Sequence, residues 1–405
     1  MSFDPYSVRP EFPILSRTVN DRPLVYLDNA ASAQKPRAVI EAMRAVMERS
    51  YANVHRGLHT LANETTDAYE AAREAARRLI SAPSASEIVF TKGATEAINL
   101  VASSFGASWG GGDEIVVTEM EHHANIVPWH FLRERQGVTL RFAPIHDDGR
   151  LDLAALYSLL GPRTRMVAVS HMSNVLGTIN PVREIVDAAH AVGAATLIDG
   201  CQAIVHGAVN VADLDADFYV FSGHKLYGPS GIGVLFGKAE RLAAMRPYQG
   251  GGEMIDTVTT EAVTYADPPH RFEAGTPPII EAIGLGSAIE WLEQLDRDVI
   301  VKHEAALYQR VKEGINGANW LTEIGQAPGK GAIFAFNMEG AHAHDVAQVL
   351  DRYGIAVRAG THCAEPLLRR FGVGSSVRAS FALYNTLDEA DSFVEALEKT
   401  RTLFA

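Results

Sequence analysis

Two apolar runs flank a glycine-rich turn in the stretch Asp217–Phe236, DFYVFSGHKLYGPSGIGVLF. The first run is β-prone and ends at Phe221, and the second begins at Ile232. The turn between them carries Lys225 among a serine, a histidine and several glycines. This pattern predicts a strand, a tight turn and a second strand, with the lysine placed where the first strand ends.

Lys225 has two interpretations. A lysine in a turn is most often a solvated surface charge. A partly desolvated lysine can instead lose its proton and form a Schiff base with a carbonyl compound, of which pyridoxal phosphate is a common example. The side chains of Ser222 and His224 could bind a phosphate, and the neighbouring glycines would let the backbone approach a ligand closely. The rest of the chain has to decide between the two.

Length and charge bound the classes of function. A chain of 405 residues with 47% hydrophobic content exceeds what one core usually serves, which favours two domains. The net charge of -13 would repel a phosphate backbone, so nucleic acid is not expected as a partner. Small solutes or other proteins are the expected partners.

The cysteines and the apolar runs indicate a cytoplasmic, reducing environment. Cys201 and Cys363 cannot form a disulfide scaffold, and the segment Met1–Pro5 has neither a basic start nor an apolar stretch. No apolar run approaches the roughly 20 residues that a membrane helix requires. We therefore expect a cytoplasmic protein with no membrane association, whose thiols are free to react.

Strand and helix patterns alternate from residue 87 onward, which predicts a mainly parallel sheet with helices on both faces. Helical spacing also appears at residues 36–49 and 64–80. The predicted strands are Glu87–Phe90, Glu114–Thr118, Met166–Ser170, Ala195–Ile198, Phe218–Phe221 and Ile232–Phe236. In such sheets ligands bind beyond the carboxyl ends of the strands.

Two of these strand ends carry residues that suit a phosphate-bearing ring. Thr91–Asn99 places glycine and threonine at a helix start, which fits either a phosphate site containing Thr95 or an ordinary helix cap. Asp199 ends an apolar strand and is either a helix cap or the partner of a protonated pyridine nitrogen. Taken with Lys225, these residues follow the order that a pyridoxal site would require.

Histidines and an amide follow other elements. His122 and His123 follow the strand that ends at Thr118. Four roles are open to them: ligands, acid–base groups, a surface for a planar ring, or partly buried structural residues. Asn174 lies in the loop after Ser170. The loop with His55 and a second histidine could bind a metal, but no cysteine or acidic cluster completes a ligand set, so no metal site is predicted.

The pattern of helices and strands in the C-terminal third differs from that of the preceding residues and predicts a smaller α+β domain. We predict an N-terminal arm over residues 1–23 that packs with the small domain, a large domain over 24–290 and a small domain over 291–405. Cys363 lies in a polar loop five residues after Arg358, where cationic neighbours favour a thiolate; a buried apolar role is the alternative. Cys201 is expected to fill space, because apolar burial raises the pKa of a thiol.

Nine motifs carry a resemblance that covers almost the whole chain. The chain resembles fold-type I pyridoxal-phosphate enzymes of the aminotransferase class V group, and more closely the SufS-type (group II) cysteine desulfurases. The motifs are Leu27–Ala31 (LDNAA), Asn53–Gly57 (NVHRG), Thr91–Glu96 (TKGATE), Glu121–Asn125 (EHHAN), Asp199–Gln202 (DGCQ), Ser222–Lys225 (SGHK), Gly250–Met254 (GGGEM), Phe272–Pro277 (FEAGTP) and Arg358–Pro366 (RAGTHCAEP).

The resemblance implies a cofactor site for pyridoxal 5'-phosphate on a mainly parallel mixed sheet. It implies that Lys225 bonds the cofactor, that Asp199 pairs with the ring nitrogen, and that His123 stacks on the ring and moves protons. The other implied cofactor contacts are Gln202 at the phenolic oxygen, Thr95, Ser222 and His224 at the phosphate, and Thr276 reaching the phosphate of a second subunit. That last contact implies a homodimer.

The resemblance also implies the reaction and its partners. L-Cysteine would be held by Arg378 and Asn174, with Arg358 and His55 as further pocket residues, and Cys363 would take its sulfur as a persulfide, leaving alanine. A sulfur-acceptor protein of the SufE or SufU type would receive the sulfur for iron–sulfur cluster assembly. The chain has Thr361 where relatives commonly have histidine, which puts thiol activation and acceptor docking in question.

Three alternatives stay open at this point. A selenocysteine lyase or a cysteine-sulfinate lyase would use the same residues. A kynureninase-like or epimerase-like enzyme would not need Cys363. A catalytically silent assembly scaffold would need neither Lys225 nor Asp199.

Overall fold

The computed structural model describes residues 3–404. The strands are β1 (Thr18–Val19), β2 (Arg22–Pro23), β3 (Val25–Tyr26), β4 (Ile88–Thr91), β5 (Glu114–Thr118), β6 (Thr139–Ala143), β7 (Thr164–Ser170), β8 (Ala195–Asp199), β9 (Phe218–Ser222), β10 (Gly233–Gly237), β11 (Ile255–Val258), β12 (Val263–Tyr265), β13 (Leu321–Ile324), β14 (Ile333–Met338), β15 (Ile355–Ala356), β16 (Arg358–Gly360) and β17 (Ser376–Ser380).

The helices are α1 (Pro5–Val8), α2 (Arg37–Arg49), α3 (Thr60–Leu79), α4 (Ala94–Ser104), α5 (Val127–Gln136), α6 (Leu153–Leu159), α7 (Val182–Ala191), α8 (Ala203–His206), α9 (Val211–Leu214), α10 (Ala239–Ala244), α11 (Ile279–Glu293), α12 (Arg297–Gly314), α13 (Ala343–Arg352), α14 (Glu365–Arg370) and α15 (Leu387–Phe404). In the part of the chain described, no helix is long and apolar enough to cross a membrane.

A seven-stranded sheet forms the centre of the large domain, in the order β4-β10-β9-β8-β7-β5-β6. Strand β10 runs antiparallel to both of its neighbours, and the other pairs are parallel. Six of the seven strands are buried along most of their length, which explains their nearly continuous apolar sequences. The predicted mainly parallel sheet flanked by helices is confirmed, and the chain alternation that predicted it starts at β4.

The parallel strands β7, β8 and β9 bring their last residues to one edge. Ser170 pairs with Asp199 across β7 and β8, and Asp199 pairs with Val220 of β9. Strand β9 ends at Ser222, and a short 3-10 turn, Gly223–Lys225, follows it directly. The register therefore sets Asp199, Ser222 and Lys225 at the same edge of the sheet.

Three helices close one face of the large domain, with α11 packed against both α2 and α3. The approach of α11 to α3 depends on Gly286, because a Cβ at that position would lie only 2.8 Å from the Cβ of Ala72. A larger residue would push the two helices apart.

The C-terminal domain contains an antiparallel sheet in the order β13-β14-β17-β16, covered by α12, α13 and α15. Strand β3 pairs in parallel with β15, and Val25 and Leu27 belong to this second core. The predicted boundary at residue 24 therefore differs from the packing, since residues 25–27 lie with the small domain. The boundary predicted after residue 290 falls inside α11; the break in the chain lies between α11 and α12.

The N-terminal arm contacts both domains. Arg9 pairs with Glu389 of α15 at 2.7 Å. The ring of Phe12 packs against three aromatic rings, Tyr227, Trp291 and Tyr384. Burial of Phe12 among these rings holds the arm at the junction between the domains.

Candidate active site

A cavity of about 190 Å³ lies at the carboxyl ends of β8 and β9, between the two domains. Its walls come from the N-terminal segment, the large sheet and the C-terminal domain. The lining residues are Ala30, Ala31, Ala94, Thr95, His122, Ala124, Asn174, Asp199, Cys201, Ser222, His224, Lys225, Arg358, His362, Cys363 and Arg378. Nine of the residues expected at the site from the sequence and the family resemblance line the cavity: Thr95, Asn174, Asp199, Ser222, His224, Lys225, Arg358, Cys363 and Arg378. Cys201, expected only to fill space, lines it as well.

The turn that carries Lys225 is tightly bonded. The carbonyl of Gly223 accepts the N–H groups of Leu226 at 2.9 Å and Gly228 at 3.0 Å, which fixes the turn after β9. Lys225 and His224 are both half-buried. Burial, together with the positive charges on Lys225 and Lys35, lowers the pKa of His224 to about 4. His224 is therefore a neutral hydrogen-bonding group at neutral pH.

Asp199 is buried at the end of β8 beside the second cysteine. One carboxylate oxygen, Oδ1, accepts the backbone N–H of Cys201 at 3.0 Å, and the acid lines the cavity. Cys201 is also buried, and burial followed by the charge of Asp199 raises the pKa of its thiol to about 12. The expectation that Cys201 is an unreactive thiol agrees with this pKa.

The loop between β4 and α4 forms another wall. The backbone N–H of Ala94, the first residue of α4, donates to Ser222 Oγ at 2.9 Å. Gly93 has a φ of +156°, and a Cβ there would lie 3.4 Å from the same hydroxyl. Thr95 is exposed on the cavity wall. The start of α4 thus presents a hydroxyl and helix N–H groups to the cavity, a donor set that suits an anion.

The two adjacent histidines face different ways. His122 lines the cavity, and burial followed by the charge on Lys225 lowers its pKa to about 4. His123 is not among the lining residues. Its Nε2 accepts the backbone N–H of Glu365 at 3.0 Å, and its own backbone N–H donates to the carbonyl of Cys363 at 2.7 Å. The ring placed on the cavity wall is that of His122, whereas the sequence analysis chose His123.

Two arginines share one aspartate at the far wall. Arg358 donates to both carboxylate oxygens of Asp28 at 2.9–3.1 Å, and Arg378 Nη2 reaches Asp28 Oδ1 at 3.3 Å. Arg378 is fully buried, and Nη1 donates to the carbonyl of Asn174 at 2.8 Å. Its Nε has no partner within the described residues. A guanidinium on a cavity wall suits a carboxylate ligand.

The loop that carries Cys363 has an unusual backbone. His362 and Cys363 have φ values of 53° and 54°, in the left-handed region that non-glycine residues rarely adopt. Asn174 Nδ2 donates to the carbonyl of His362 at 2.9 Å, which ties the loop to the large domain. His362 is buried while Cys363 is exposed and lines the cavity. The loop thus presents the thiol rather than the histidine to solvent.

Besides His123, three predicted residues lie outside the cavity wall. Gln202 is buried, and its Nε2 donates to the carbonyl of Ala30 at 2.7 Å, directly behind that wall. Thr276 is exposed on the surface. His55 pairs with Glu70 at 2.9 Å and packs against the ring of His270. Residues 3–404 contain no cluster of three or more side chains suited to a metal ion.

Sequence reasoning missed two members of the site, His122 and Asp28. His122 was weighed as part of a pair, and only the backbone of the 3-10 turn at His123–Asn125 distinguishes the two rings. Asp28 stands in the quoted motif Leu27–Ala31 without a role. The signal that could have found it is an acid placed directly after an apolar strand.

Comparison with known proteins places the chain in a family. The sequence pattern of the aminotransferase class-V family matches residues 25–393. A cysteine desulfurase of Dickeya dadantii (strain 3937) is 53% identical over 398 residues, which cover 98% of this chain and 96% of that protein.

The chain belongs to the aminotransferase class-V family.

Solved structures agree with this family assignment. The crystal structure of the cysteine desulfurase CsdA (S-sulfonic acid) from Escherichia coli superposes with a TM-score of 0.93 at 39% identity, over the full length of both chains. The apo structure of a cysteine desulfurase from Thermococcus onnurineus NA1 also gives 0.93, at 38% identity, over 100% of this chain and 98% of that one. The predicted membership in the aminotransferase class-V family, near the cysteine desulfurases, is confirmed.

Proposed function

We propose that this protein is a pyridoxal-phosphate-dependent cysteine desulfurase that converts L-cysteine to L-alanine and carries the sulfur as a persulfide on Cys363. One observation supports this proposal more strongly than the others. Lys225 from the large domain and Cys363 from the small domain line the same cavity, together with Asp199 and Arg378. The names and the high similarity of the relatives support the same activity.

The residues of the cavity fit the cofactor. Oδ1 of Asp199 accepts the N–H of Cys201, which leaves the other carboxylate oxygen for a protonated pyridine nitrogen. Lys225 provides the amine that bonds the aldehyde. Thr95, Ser222 and His224 would hold the phosphate at the start of α4. We assign the ring face to His122 because it lines the cavity. When bound, pyridoxal phosphate supplies an electron sink beside the substrate Cα.

The protein's own groups perform the remaining work. Arg378 binds the carboxylate of L-cysteine through its guanidinium group on the cavity wall, assisted by the amide of Asn174. The Lys225 amine removes the proton from the substrate Cα. The Cys363 thiolate then forms an S–S bond to the substrate sulfur while the substrate Cβ–S bond breaks. The electron pair of that bond remains on the carbon skeleton, and protonation there completes alanine, so one cysteine and one thiol give one alanine and one persulfide.

A homodimer is part of the proposal. The side chain of Thr276 is exposed, which agrees with a contact to a second subunit. Helix α2 and the loop after it also carry exposed apolar side chains, with Met47 56% and Leu58 100% exposed. Apolar surface of this kind supports an interface between subunits. Light scattering should give about twice the chain mass of 43.8 kDa.

We further propose that the exposed Cys363 delivers its sulfur to an acceptor protein of the SufE or SufU type for iron–sulfur cluster assembly in the cytoplasm. The exposure of Cys363 supports protein-to-protein transfer, and both cysteines are free thiols. No contact in the cavity favours selenocysteine or cysteine sulfinate over cysteine. Relative turnover of the three amino acids by the same preparation separates these substrates.

Steady-state turnover tests the function directly. Protein reconstituted with pyridoxal phosphate should release equal amounts of alanine and sulfide from L-cysteine in the presence of a thiol reductant. Lys225→Ala should lose both products, because the base and the cofactor bond are removed together. Release of a different product by the wild type would assign the protein to another branch of the family.

A further inference from the structure

We propose that Lys35 is a positioning residue whose ammonium group holds the backbone carbonyl of His224 and thereby fixes the turn that presents Lys225 to the cofactor. The inference rests on the proposed function, since it concerns the lysine that bonds the cofactor. Lys35 lies between β3 and α2, almost two hundred positions before that turn in the chain. It is not one of the residues that line the cavity.

The carbonyl of His224 receives hydrogen bonds from three donors of one segment. The backbone N–H of Ala33 donates at 3.1 Å, Ser32 Oγ at 3.3 Å and Lys35 Nζ at 3.1 Å. Lys35 Nζ also donates to the carbonyl of Ala33. The peptide between His224 and Lys225 is therefore held from outside its own loop, and the orientation of that peptide sets where the Lys225 side chain begins.

Lys35 is a cation without an acidic partner. In the segment 3–404 no carboxylate forms an ion pair with it, and both of its hydrogen-bond acceptors are backbone carbonyls. The titratable groups around the segment are His224 and Lys225 on the turn, Tyr384, whose hydroxyl accepts the N–H of Gln34, and Tyr26, whose hydroxyl donates to the carbonyl of Ser32. None of them carries a negative charge at neutral pH. Both acceptors of the ammonium are therefore uncharged carbonyl dipoles.

This environment makes the hydrogen bond from Lys35 to the carbonyl of His224 sensitive to pH. Burial lowers the pKa of Lys35 to about 8, so the group is an ammonium at neutral pH and an amine in mildly alkaline solution. A charged donor binds a carbonyl more strongly than a neutral amine does. Loss of the proton should weaken cofactor binding.

Titration of cofactor-free protein with pyridoxal phosphate, followed by visible absorbance at about pH 7 and about pH 9, tests the proposal. Wild type is compared with Lys35→Met, Lys35→Arg and the control Lys302→Met, which removes an exposed lysine of α12. We expect Lys35→Met to raise the dissociation constant about tenfold at neutral pH, the scale of one charged hydrogen bond. Lys35→Arg should bind with a smaller alkaline loss than wild type, because arginine keeps its proton.

Unfolding of the cofactor-free proteins by urea separates positioning from general stability. Because the folded pKa of Lys35 is lowered, deprotonation removes a burial cost, and the unfolding free energy of wild type should rise relative to Lys35→Arg between about pH 8 and pH 10. Cofactor binding should move in the opposite direction over the same range. Opposite trends are not expected of a residue that only packs.

Three outcomes decide the matter. Equal affinity of Lys35→Met and wild type at both pH values would overturn the proposal. If Lys35→Met does not fold, identical pH profiles of wild type and Lys35→Arg would overturn it equally. Failure of wild type itself to develop a visible band with pyridoxal phosphate would instead count against the proposed function and would be seen before any variant is compared.

Discussion

The backbone N–H of His123 donates a hydrogen bond of 2.7 Å to the carbonyl oxygen of Cys363. The imidazole of the same histidine accepts the N–H of Glu365 at 3.0 Å. One residue of the large domain thus contacts the thiol loop of the small domain at Cys363 and again two residues after it. The strained backbone at Cys363, with a φ of 54°, is held in place by contacts of this kind.

The adjacent histidines should therefore give different defects. His123→Ala removes the bond to Glu365 and should slow alanine formation about fivefold, the equivalent of one ordinary hydrogen bond, without moving the visible absorption maximum of the cofactor. His122→Ala removes a ring from the cavity wall and should shift that maximum. Absorbance spectra and rates of the two variants provide the comparison. A spectral shift in His123→Ala alone would return the stacking role to His123.

Arg378 should determine affinity for the substrate. Arg378→Met removes the guanidinium on the cavity wall and should raise KM for L-cysteine by about a hundredfold, since charge-assisted bonds contribute roughly 1.5–3 kcal/mol each. Steady-state kinetics measure the effect. Arg369→Met is the matched control, because Arg369 is exposed and pairs only with Glu365 within its own helix. Equal KM values in the two variants would remove Arg378 from the substrate site.

A buried ion pair should dominate the stability of the large domain. Arg73 is fully buried and donates to both oxygens of Glu273, at 2.6 and 2.9 Å, while Glu273 also accepts the N–H of Phe90. Arg73→Met leaves this carboxylate buried without its cation and should cost about 3–5 kcal/mol of unfolding free energy. Arg77→Met, on the same helix but in a surface pair with Glu74, should leave the unfolding free energy nearly unchanged. Urea unfolding of both variants measures the difference, and equal losses would contradict the assignment.

Acidification should destabilise the protein through its buried histidines. Burial lowers the pKa of His171 and His224 to about 4 and that of His362 to about 3. In the unfolded chain these groups titrate near 6.5, so the unfolded state binds protons that the folded state does not. Their stabilising effect is therefore complete above about pH 6.5 and is lost as the pH falls toward 4.

One histidine isolates this effect. His171 Nδ1 lies 3.1 Å from the hydroxyl of the buried Tyr219. Because the unfolded chain binds a proton at this ring more readily than the folded protein does, the unfolding free energy should fall by about 2 kcal/mol by about pH 5. His171→Gln should lose that much less unfolding free energy than wild type between about pH 7 and pH 5. Urea unfolding of the cofactor-free proteins at the two pH values gives the comparison. The same loss in both proteins would show that His171 does not titrate in this range.

The central sheet was predictable because its strands are apolar and separated by helical patterns. Strand β5 was predicted with its observed bounds, and the other predicted strands differ by one or two residues at their ends. Strand β6 was missed because it is an edge strand with exposed residues such as Arg141. Strand β17 was missed for the opposite reason: Ser376, Arg378 and Ser380 are polar but fully buried, since they bond to neighbouring segments.

The site residues that could be predicted from the sequence are those that lie at or just after the end of a strand. Asp199 and Ser222 end buried strands, Lys225 lies in the turn directly after β9, and the parallel register places the three together. The choice between His122 and His123 was not predictable, because it depends on the orientation of a single short turn. The contact of Lys35 with His224 joins segments far apart in the chain and leaves no local pattern. The role proposed for Thr276 depends on a homodimer and is not tested by its exposed position in a single chain.

Sulfur transfer to Cys363 is tested most directly by a single turnover of cofactor-loaded protein with L-cysteine and no reductant, followed by intact-mass analysis and alanine quantitation. Wild type and the control Cys201→Ala should gain at least one sulfur atom, located on Cys363, and release alanine in matching amount. Cys363→Ala should do neither while it keeps the visible band of the cofactor. Equal alanine from wild type and Cys363→Ala would contradict the role of this thiol and place the protein in another branch of its family.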